Sequence, residues 1–164
     1  MSVERDNEYV NLEKELVTLF ERLIAELPPN VAKLDVRRGT QTHDGVIAVL
    51  TPTNRAAAKI VAHTVNVFGL VDFSFGEYPP TWELPFEGHN SKANGNELLK
   101  EVEEMCRAVI AGHCEHKRGL LSIRGSIQVH DRPYKVTHLP VFRAVPRLRE
   151  TRKYEPYFGN STPD

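Results

Sequence analysis

The densest group of chemically capable residues in this sequence is His113-Cys114-Glu115-His116. It offers imidazole, thiolate and carboxylate within four residues, the ligand types that zinc takes at about 2.0–2.3 Å. Two histidines three apart can approach one ion, with a further ligand drawn from His63, His130, His138 or Cys106. One reading of the chain is therefore a metal-dependent, zinc-type hydrolase with His113, Cys114 and His116 as metal ligands. No CxxC or HExxH companion stands at the usual spacing to support it. The competing reading is a polar turn after a helix, where His and Lys suit the negative end of the helix dipole.

A second group is formed by His130 and His138, on either side of Asp131-Arg132-Pro133. If that tripeptide turns a hairpin, the two rings become neighbours, and Arg124 and Gln128 join them on one polar strand face. A histidine pair can serve as acid and base near neutral pH. Solvated strand histidines are much commoner, so the expected role of this face is binding. A third group is Glu77, Glu83 and Glu87 around Trp82. A retaining glycosidase needs two carboxyls about 5–5.5 Å apart. The simpler expectation is that Trp82 anchors a proline-bracketed loop. Cys106 falls on an apolar stripe and reads as core, and Cys114 has no base partner that would make it a nucleophile. There is no GxSxG elbow, no glycine loop ending in GK[ST] and no GxGxxG. No catalytic residue is assigned, and the balance leans away from an enzyme.

Charge is distributed unevenly. Met1 to Val31 carries seven acidic and three basic side chains, a net of −4. Arg132 to Phe158 carries seven basic and two acidic side chains, a net of +5, interleaved with Tyr154, Tyr157 and Phe158. Arginine with aromatics suits single-stranded nucleic acid, but the net charge of the whole chain is −1, without the basic excess that phosphate neutralisation calls for. The expected partner of Arg147, Arg149, Arg152 and Tyr154 is therefore the acidic segment Met1 to Val31, in the same molecule or in a second copy of the chain, or else a separate protein surface. Docked on that segment, Tyr154, Tyr157 and Phe158 serve as packing anchors.

These groups must be positioned by regular elements, and several are legible. Leu12, Leu16, Leu19, Phe20, Leu23, Ile24 and Leu27 recur at three- and four-residue steps, which predicts a helix over roughly Asn7 to Leu27. Asp6 or Asn7 suits its cap, and Pro28-Pro29 its end. Leu98, Leu99, Val102, Met105, Cys106, Val109 and Ile110 predict a second helix, closed by Gly112. Strands are expected at Val31–Arg38, Gly45–Thr51, Lys59–Asn66 and Leu70–Phe75, with a short edge strand at Thr81–Leu84. A last hairpin alternates Leu121, Ile123, Gly125, Ile127 and Val129 with Ser122, Arg124, Ser126, Gln128 and His130, then returns over Tyr134 to Phe142. One apolar and one wet face is the antiparallel pattern.

The order predicts an α+β fold with a mainly antiparallel sheet of about six strands and two amphipathic helices on one face. Its length of 164 residues fits one domain, expected over 1–142, with 143–164 as a basic, aromatic C-terminal arm that frays at its end. Two cysteines are too few for a disulfide scaffold. The polar start lacks an apolar signal region, and no apolar run approaches the ~18 residues of a membrane span. A cytoplasmic, reducing setting is expected. The leading functional expectation is a non-enzymatic binding module without a cofactor. It would contact a protein partner or itself through the polar sheet face (Arg124, Gln128, His130, His138) and the arm (Arg147, Arg149, Arg152, Tyr154). The zinc hydrolase is the alternative, and an RNA-binding accessory protein the weaker one.

Overall fold

The computed structural model describes residues 3–38, 45–65, 70–76, 81–85, 95–118, 122–138 and 150–158. Helix α1 spans Val3–Glu26 and α2 spans Gly95–Ile110. The apolar stripe of α1 is what buries it: Leu12, Leu16, Leu19, Phe20 and Leu23 are all in the core. Each such side chain contributes roughly 1.5–3 kcal/mol on full burial. The helix begins earlier than its capping residues suggested, so Asp6 and Asn7 lie inside it. At the end of α2 the expected glycine cap is present. Gly112 has φ +76°, its N–H donates to Val109 O, and the N–H of His113 donates to Ala108 O, the paired bonds that satisfy a helix's last carbonyls.

Among the described residues the strands form two antiparallel sheets rather than one. The first has the order β1 (Ala32–Arg38), β2 (Val46–Pro52), β3 (Ile60–Val65), β4 (Leu70–Phe75), β5 (Thr81–Pro85). It is a meander, each strand pairing with its predecessor, and β5 is the edge strand its bracketing prolines implied. The second has the order β8 (Arg132–His138), β7 (Ile123–Val129), β6 (Cys114–Arg118), β9 (Glu150–Lys153). Strands β6 and β9 were not expected. Cys-Glu-His-Lys-Arg and Glu-Thr-Arg-Lys carry almost no apolar or β-branched residues to mark a strand. Their ladder comes from partners distant in sequence.

Helix α1 lies on β1 and β2, α2 lies on β7, and the helices touch each other. One core results, from α1, α2, the inner faces of β2, β3 and β4 (Ala48, Leu50, Ile60, Ala62, Val71, Phe73, Phe75) and Cys114, Ile127 and Val129 of the second sheet. The chain after β9 closes this core. Tyr154 and Tyr157 are buried. The Tyr157 hydroxyl donates to Ala58 O at 2.8 Å, and the Tyr157 N–H donates to Ile110 O. Residues 150–158 therefore belong to the main unit and are not part of an arm beyond residue 142. Among the described residues, no helix is long and apolar enough to cross a membrane.

Candidate functional site: two faces of the second sheet

Strand geometry sends alternate side chains to opposite faces, and in the second sheet this divides the sequence-predicted residues into two sets. Cys114 and His116 point inward, 6 % and 4 % exposed. His113, Glu115 and Lys117 occupy the alternate positions, and His113 and Lys117 are exposed. The metal set therefore does not assemble: His113 and His116, three apart on an extended chain, lie on opposite sides of the sheet. His63 sits on β3 of the other sheet, opposite Ile47 and Asp72. Among the described residues no three His, Cys, Asp or Glu side chains gather as a metal site. Burial pushes the Cys114 thiol up to about 12 and raises that of Cys106 as well, so neither is a thiolate near neutral pH.

The outward face is basic. The ladder places Lys117 opposite Arg124 and Thr151, and Glu115 opposite Ser126 and Lys153, with Lys135 beyond Ser126. Lys117, Arg124, Lys135 and Lys153 are all exposed. The carboxylate among them is Glu115, which takes the Lys117 Nζ at 2.7 Å. That ammonium holds the Glu115 carboxyl below its usual range, and Lys153 adds to the effect. Two shallow depressions of about 260 and 490 Å³ give this face relief. Both are lined by His113 and Gln128; the first adds Glu115, Ser126 and Lys153, and the second adds Arg107 and His130.

The predicted binding residues separate accordingly. Arg124, Gln128 and His130 are exposed, and His130, at φ +48°, is in the turn itself. His138 is not its neighbour across the hairpin. The register pairs His138 with Ile123 at the other end of the ladder, while Arg124 faces Thr137 and Gln128 faces Pro133. The turn comes earlier than Asp131-Arg132-Pro133 suggested, because β8 already starts at Arg132. Arg147 and Arg149 lie outside the described residues. In the glutamate group, Glu77 and Glu87 also lie outside them, and Trp82 and Glu83 are neighbours on β5, in register with Phe73 and Asp72 of β4.

Arg152 and Tyr154 belong to the inward face. Tyr154 is 4 % exposed, too buried to be a stacking platform. Its hydroxyl meets His116 Nδ1 at 2.9 Å, and the Arg152 guanidinium lies 5.1 Å from its ring centroid. His116 in turn stacks on Phe75 of the first sheet, with centroids 4.5 Å apart and an interplanar angle of 14°. Gly76 makes room for the pair. It has φ +77°, and a Cβ there would collide with the Tyr154 hydroxyl and crowd His116 Cε1. Desolvation lowers the His116 pKa to about 4, assisted by the charge of Arg152, so the ring is neutral near pH 7. Sequence reasoning missed this cluster because its members are far apart in the chain. The only local hint was the alternation of Cys114 and His116 with charged residues.

No family model, curated protein or solved structure matches this chain. The reading therefore rests on the chemistry of the two faces.

Proposed function

We propose that this protein is a non-enzymatic binding module whose outward, basic sheet face engages an acidic segment of a protein partner. The observation that carries this is the exposure of Lys117, Arg124, Lys135 and Lys153 around one carboxylate on a rigid four-stranded face. Rigid display lowers the ordering cost of association. Complementary charge steers encounter and sets specificity more than it adds raw affinity. The depressions beside His113 and Gln128 are where a partner's side chains would seat. Both cysteines are free and buried, which suits the reducing cytoplasm as the place of action.

A second copy is the other occupant with support on this molecule, because α1 exposes Glu15, Glu21 and Glu26. A test uses a glutamate-rich peptide as probe, with fluorescence anisotropy at low and physiological salt. Saturable binding that is lost in the Arg124→Glu/Lys135→Glu variant supports the reading. Equal binding by that variant, or none by wild type, overturns it. Sedimentation velocity on the same two proteins separates self-association from capture of the peptide. Tighter, steeply salt-dependent binding of single-stranded RNA would replace the protein partner with nucleic acid.

A further inference from the structure

Each sheet ends in two edge strands, and an edge offers a row of backbone N–H and C=O groups to any strand that can pair with it. Short length and proline blunt such edges, and three of these strands show one or the other. Strand β9 is four residues long, β5 has five residues and ends on Pro85, and β8 carries Pro133 as its second residue. Strand β1 is different. It runs for seven residues without proline, and no bulge interrupts its register with β2 from Ala32↔Pro52 to Arg38↔Val46. Among the described residues no strand pairs with its other edge. We propose that this edge pairs antiparallel with β1 of a second copy of the chain, about a two-fold axis at Leu34, and so joins two first sheets into one.

Three observations carry the inference. The first is apolar surface at the edge. Leu34 and Val36 stand opposite the buried Leu50 and Ala48, so they share the core side of the sheet with Ala32. Ala32 and Leu34 pack against the core, but Val36 remains 39 % exposed, a large apolar side chain left in solvent. The second is alternating charge. Lys33, Asp35 and Arg37 occupy the other face, and all three are exposed. The third is that the strand complements itself. With the axis at Leu34, Lys33 of each copy stands opposite Asp35 of the other, Leu34 meets Leu34, and Val36 meets Ala32. Apolar faces apolar and each of these charges faces its opposite, the pairs that stabilise a sheet. Asp35 takes the Arg37 Nε at 2.7 Å within the strand, and a carboxylate has acceptor positions for a second cation. An axis at Asp35 would set Lys33 against Arg37 and Asp35 against itself. An axis at Val36 would set Leu34 against Arg38 and leave Lys33 past the end of the other strand. Two-fold pairing occupies the β1 edge of both copies, so the assembly closes as a dimer.

This surface belongs to the first sheet, apart from the basic face of the second, so either proposal can fail without the other. Sedimentation velocity on the full chain over a concentration series measures the dimer. Wild type is expected to dimerise. Asp35→Lys and Lys33→Asp should each weaken the dimer about tenfold or more, because each turns two cross-strand attractions into repulsions. The double variant Lys33→Asp/Asp35→Lys restores opposite charges across the axis and should recover association. Both side chains are exposed, so circular dichroism should show the wild-type fold in all three variants. Arg124→Glu/Lys135→Glu, on the basic face, should leave the dimer intact. A monomeric wild type, undiminished association in the single variants, or no recovery in the double variant would overturn the proposal. So would a dimer that is lost in Arg124→Glu/Lys135→Glu, which would place the contact on the second sheet.

Discussion

The two faces of the second sheet are built from the same four strands and obey opposite rules. Outward, Lys117, Arg124, Lys135 and Lys153 remain in solvent, where each charge is screened and each side chain is replaceable. Inward, His116, Tyr154 and Phe75 are locked by stacking, one hydrogen bond and a glycine that no larger residue can replace. The contrast shows how a strand of alternating polar residues such as Cys-Glu-His-Lys-Arg serves both functions. Polarity alone does not decide which residues are surface; parity and partners do.

The largest effect that sharpens this contrast is acid destabilisation. The folded-state pKa of His116 is lowered from 6.5 to about 4, so the unfolded chain binds a proton that the folded chain refuses. The contribution is fully present above pH 6.5 and is lost as pH falls toward 4. It amounts to roughly 3 kcal/mol at 1.36 kcal/mol per unit. Denaturant unfolding from pH 7 to pH 4 should show this loss, and a His116→Phe variant should show less of it. A slope unchanged by that substitution would mean the ring is not buried neutral.

Next in size is Tyr154→Phe. It removes the hydroxyl that meets Nδ1 of His116 and takes that contact from a buried ring nitrogen, at a cost of about 1–3 kcal/mol. Urea midpoints at pH 7 check this, and a change under about 0.5 kcal/mol would place the hydroxyl outside the buried network. The smallest effect belongs to the outward face. Lys135→Ala should alter stability by no more than about 0.5 kcal/mol, as surface substitutions do, while weakening capture of the acidic peptide. A large loss of stability would mean the outer face is structural.

Much of the fold was legible beforehand. The α1 stripe from Leu12 to Leu23, the α2 stripe closed by Gly112, and the strands at Leu70–Phe75 and Ile123–Val129 all follow from local periodicity and capping. The site was legible only in part. Arg124 and Gln128 follow from alternation, but the pairing of His130 with His138 failed because a turn shifted by about two residues re-registers the whole ladder. Tyr154 and Arg152 read as part of a basic arm outside the 1–142 domain because the partners of Tyr154, His116 and Phe75, are 38 and 79 residues away.

What the sequence determined by itself is therefore local: two amphipathic helices, a set of antiparallel strands, an acidic first helix and basic residues gathered toward the C-terminus. These depend on neighbours within a few residues, through helical and strand periodicity. The tertiary structure decided the division into two sheets, the addition of Glu150–Lys153 as an edge beside β6, and the burial of His116 beneath Tyr154. Those depend on long-range pairing, where one hydrogen-bond register sets which face every side chain occupies.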